Sequence, residues 1–100
     1  MFRHGDVLIL DAVPLPAEST RRTNNIVAEG EATGHAHRLV GGDVWGSADG
    51  EVFITAGDDA SLIHEEHKRL ELPATQEGEG YPILIQREYD DEQEWRQVAD

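Results

Sequence analysis

The chain has 100 residues, enough for a single domain with one core, and its 38% hydrophobic content comes in short runs rather than in long periodic stretches. Eight Lys and Arg against 21 Asp and Glu leave a net charge of −13, which repels a phosphate backbone and argues against non-specific nucleic-acid binding. Cysteine is absent, so neither disulfides nor thiolate chemistry is available, and a metal would have to be held by imidazole, carboxylate, carbonyl or water.

In chain order, Met1-Phe2-Arg3-His4-Gly5-Asp6 lacks the plan of a signal peptide, and no run approaches the roughly 18 apolar residues of a membrane span. A cytoplasmic protein without membrane contact is expected. Residues 6–13 (DVLILDAV) predict a first core strand that stops at Pro14 and Pro16. Residues 17–25 read as a polar loop, in which Arg21 and Arg22 are ordinary solvated surface or an anion site, as are Lys68 and Arg69 further on. A short strand is expected at Ile26 to Glu29, a tight connection between Gly30 and Gly34, and a strand from His35 to Val40. Gly41-Gly42-Asp43, Ser47-Ala48-Asp49-Gly50 and Gly57-Asp58-Asp59 predict turns, with a strand at Glu51 to Ala56. His64-Glu65-Glu66-His67 falls at a junction of two strands, and Tyr81 to Tyr89 is the last strand, with Pro82 at its entry. The fold class expected is all-β, a small barrel or two-sheet sandwich of short antiparallel strands over residues 1–89, followed by an acidic tail over 90–100.

Five histidines occur, four of them in two tight pairs. An H-x-H pair on a strand points both rings to one side about 6.5 to 7 Å apart, close enough to converge on an ion where the strand curves. His35, His37, His64 and His67, with Glu65 or Glu66 beside them, match a three- or four-ligand site for a divalent ion such as zinc, iron, nickel, copper or manganese. The spacing of HEEH differs from the H-E-x-x-H of zinc proteases, whose histidines lie four apart on a helix. Paired histidines also serve as surface residues or as hydrogen-bonding caps at strand ends. In Gln86-Arg87-Glu88-Tyr89, Arg87 could hold an anionic substrate group and Tyr89 could donate a proton, or the two could form an ordinary cross-strand pair and rim tyrosine.

The string from Ala28 to His37 (AEGEATGHAH), followed by His64-Glu65-Glu66-His67 and by Gln86-Arg87-Glu88-Tyr89-Asp90, resembles a family of short uncharacterised bacterial and phage-type proteins over nearly the whole length. The resemblance implies that the three motifs belong together and carries no activity with it. A second likeness is to the cupin metal site, with His35, His37 and His64 in the histidine parts; the glutamate that should follow H-x-H is missing, since Val40, Gly41 and Gly42 stand there.

Three functions follow as expectations. The first is a metal-dependent hydrolase in which the ion activates water, Glu65 or Glu66 moves its proton, and Arg87 or Tyr89 steadies a small-molecule or nucleic-acid substrate. The second is a metal-free ribonuclease or cyclising enzyme using two histidines as acid and base. The third is a non-enzymatic acidic partner protein, carried by Glu88, Asp90, Asp91, Glu92 and Glu94. A homo-oligomer is compatible with each.

Overall fold

A computed structural model describes residues 1–29 and 35–85. The expectations that fall on 30–34 and 86–100, including the tight connection between Gly30 and Gly34, the roles of Arg87 and Tyr89 and the boundary of the acidic tail, lie outside the described residues. Among the described residues nine antiparallel strands are formed: β1 (Phe2–His4), β2 (Val7–Ile9), β3 (Val13–Pro14), β4 (Thr20–Arg21), β5 (Ile26–Glu29), β6 (Ala36–Gly46), β7 (Val52–His64), β8 (His67–Glu71) and β9 (Glu79–Ile85). The all-β class is therefore correct, and the arrangement is an open sheet in the order β1-β2-β9-β7-β6-β4, with β3 on β9, β5 on β6 and β8 on β7. Among the described residues no ladder joins β1 to β4, so no closed barrel is formed.

The frame is the long β6–β7 hairpin. Ser47-Ala48-Asp49-Gly50 turns it as expected, with Gly50 at φ +86° and Ser47 N donating to Glu51 O. The turns expected at Gly41-Gly42-Asp43 and Gly57-Asp58-Asp59 are corrected: both stretches lie inside strands and face each other across a bend. Val40 pairs with Ser61 but Gly42 already pairs with Ala56, so residues 57–60 arch around Gly41. Glycine is required there, because a Cβ on Gly42 would fall 2.2 Å from Thr55 O and Gly41 sits at φ +82°. Polar groups around the arch find partners in the segment after β8: Leu72 N donates to Ala60 O, Thr75 N to Ala56 O, and Ala56 N to Thr75 Oγ1.

Three smaller expectations are also corrected. The first strand is interrupted at residues 10–12, where β2 gives way to β3. The loop over 17–25 contains β4, which pairs with the end of β6. Pro82 lies mid-strand in β9, between β2 and β7. Its carbonyl accepts from Leu10 N, and since N–H and C=O of one residue point to the same neighbour in an antiparallel strand, its missing donor faces the interruption after Ile9.

One core holds the sheet. Leu39 faces Leu62, and Val44 faces Ile54, across the hairpin, and all four are fully buried together with Val7 and Ile9. The bend carries the far half of the hairpin, residues 36–40 and 61–64, toward the turn between β1 and β2. There β1 approaches β8. The hydrogen bond that joins them comes from a side chain, as His4 Nε2 lies 2.8 Å from Lys68 O.

Candidate metal centre

All five histidines meet at this junction. β6 starts beside the end of β7, which brings His35 and His37 to His64; the two-residue turn Glu65-Glu66 sets His64 directly opposite His67. The ring of His37 lies 4.3 Å from that of His64 and 5.8 Å from that of His67, and His64 lies 4.6 Å from His67. The two motifs picked out in the sequence are therefore brought together. Sequence reasoning missed His4, whose ring lies 5.0 Å from His37 and 5.6 Å from His67, and Asp6. The signal available was a fifth histidine beside a glycine, in a stretch that carries no paired spacing.

One ring nitrogen each of His37, His64 and His67 lie within 4.8 Å of one another. Zinc–imidazole bonds of about 2.0–2.1 Å place ligand nitrogens about 3.4 Å apart in a tetrahedron, so modest side-chain rotation closes the triad. His37 is buried, His64 is half-buried and His67 is exposed, which leaves one side open to water. His67 lies against Gly5 at φ +64°, where a Cβ would come 2.5 Å from its Nε2.

Behind the triad the protons can be counted. Lys68 O only accepts, so His4 Nε2 carries a proton and neutral His4 accepts at Nδ1; His37 Nδ1, 2.9 Å away, then donates to it. The lone pair of neutral His37 falls on Nε2, which lies 3.3 Å from Asp6 Oδ1. Three contacts thus share the two protons of two neutral rings. A third proton is disfavoured near neutral pH. Burial, with the charges of His64 and His4 adding to it, pushes His37 down to about 4 against the pull of Asp6. Burial also lowers His4, opposed by its bond to Lys68 O and assisted by His67 and His64.

The carboxylates of the turn reach toward β6. Glu65 accepts from Ala36 N at 3.3 Å and lies 3.5 Å from an Arg38 guanidinium nitrogen, while Glu66 lies 3.0 Å from His35 Nδ1. A backbone N–H of its own residue, then that of Ala36 and the nearby His35 and Arg38, hold Glu65 below the usual carboxylate range. Glu66 N donates to His64 Nδ1 at 3.0 Å, so ligation through that nitrogen would displace the bond. The H-x-H pair also divides: His37 groups with His64 and His67, and His35 with His64 and Glu65.

An open antiparallel sheet with a five-histidine cluster at the end of a bent hairpin defines the class of domain. Residues 3–76, a span that includes all five histidines, match the family described as Domain of unknown function (DUF8820), and the chain belongs to that family. No curated protein and no solved structure matches it. No helix among the described residues is long and apolar enough to cross a membrane.

Proposed function

We propose that this domain binds one divalent transition-metal ion through His37, His64 and His67, at a site of the hydrolytic type. The observation that carries the reading is the convergence within 4.8 Å of one ring nitrogen each of His64 and His67, on either side of a two-residue turn, and of His37 from β6. The chain from His37 through His4 to Lys68 O supports it, because a ligating histidine ordinarily donates its second ring nitrogen to a fixed acceptor. An all-nitrogen triad favours zinc, copper, nickel or iron over calcium or magnesium. Three protein ligands with an exposed side match sites that keep a position for water and lower its pKa. Glu66, exposed beside His35, is then the carboxylate left to move a proton, since Glu65 is engaged by Ala36 N and Arg38. For the metal-free reading His37, only 4% exposed, cannot touch a substrate, so the acid and base would have to come from His35, His64 and His67.

Metal analysis of protein made without a polyhistidine tag tests the proposal. About one equivalent of a transition metal should survive dialysis and leave with a strong chelator. At a free metal concentration a hundredfold above Kd, binding should stabilise the fold by about 2.7 kcal/mol. Sub-stoichiometric metal, together with thermal unfolding unmoved by zinc, nickel, copper, iron or manganese, would remove the proposal.

A further inference from the structure

The division of the H-x-H pair has a chemical consequence. His35, His64 and Glu65 place one ligand atom each within 4.8 Å of one another, a second triad that shares His64 with the first and contains no buried residue. The Glu66 carboxylate lies 3.0 Å from His35 Nδ1, beside the ring as outer-shell carboxylates lie beside ligating histidines. A cleft of about 240 Å³ lined by Ala36, Arg38, Ile63, His64 and Glu65 opens beside it. His64 belongs to both triads, and a neutral imidazole has only one lone pair to give.

We propose that His35, His64 and Glu65 form an outer metal station that receives a divalent ion from solvent and exchanges it with the inner His37–His64–His67 station, one ion at a time. This rests on the metal-binding reading above. The inner triad offers three imidazoles and holds ions that prefer nitrogen; the outer offers two and a carboxylate and tolerates harder ions. His64 is the hand-over ligand.

The test is a Co²⁺ titration of the full untagged chain at neutral pH, followed by its visible absorption. The native chain should bind one equivalent. His67→Ala, at an exposed position, removes the inner triad and should still bind one equivalent, with an altered spectrum and affinity weaker by roughly tenfold or more, as even outer-shell changes cost that much. In that variant the bound ion should shift the His35 ring protons in the paramagnetic NMR spectrum, and adding Glu65→Gln should abolish binding. Circular dichroism confirms that each variant is folded. The two-station proposal is overturned, with the inner site left standing, if His67→Ala binds nothing, if Glu65→Gln changes nothing in that background, or if the native chain takes two equivalents. A native chain that binds no Co²⁺ overturns both readings.

Discussion

His67 stays in the cluster because Gly5 leaves it room. A methyl group at position 5 would both meet the imidazole and sit on a left-handed backbone, a conformation that costs a non-glycine residue about 1–2 kcal/mol. Gly5→Ala should therefore lower stability by about that amount and push His67 out of the triad. Metal affinity should fall by at least tenfold, as one ligand is displaced, and isothermal titration beside the native protein measures it. An affinity unchanged in a folded Gly5→Ala protein would show that His67 is no ligand. The same residues show what the sequence could disclose. Four histidines announce themselves by spacing, because H-x-H and HEEH have a local geometry. His4 has none: its place depends on β1 meeting β8 across 64 residues of chain, a contact no local pattern encodes.

At the scale of elements the bend in the β6–β7 hairpin aims the site. Gly41-Gly42-Asp43 and Gly57-Asp58-Asp59 have the composition of turns, and the arch they form needs the same freedom of backbone that a turn needs. Only the pairing on either side tells them apart, and pairing is non-local. The short turn at 47–50 and the strand at 26–29 were legible because their signals lie within a few residues. Gly42→Ala would drive its Cβ into Thr55 O, a backbone atom that cannot swing away. Denaturant unfolding should show a loss of about 1–3 kcal/mol, typical of overpacking, with a fall in metal affinity as the far half of the hairpin shifts. Stability equal to the native protein would mean that the two strands do not approach as described.

For the whole molecule, composition gave the all-β class, whereas the strand order was hidden, since β9 lies between β2 and β7 although it comes last among the described strands. The histidine cluster also sets how the ion-free fold responds to acid. His37 is lowered from 6.5 to about 4, and His4 is lowered too, so the unfolded chain binds protons that the folded one refuses. Their contribution is fully present above pH 6.5 and declines as the pH falls from there toward about 4. The net charge of −13 works the other way, because protonating carboxylates relieves self-repulsion, but that sets in mainly near and below their pKa values of about 4. Unfolding followed from pH 7.5 to 4 should therefore show a decline beginning near 6.5, and bound metal should leave over the same range; a flat profile there would contradict the burial of His37 and His4.

Long-range proton–nitrogen correlation NMR of the histidine rings, recorded at pH 7 while zinc is added to one equivalent, reads the centre atom by atom. The ring nitrogens of His37, His64 and His67 should move together and saturate at one ion, with His37 Nδ1 remaining protonated against His4. Rings that stay unchanged through one equivalent, or a response confined to the exposed His67, would contradict the account.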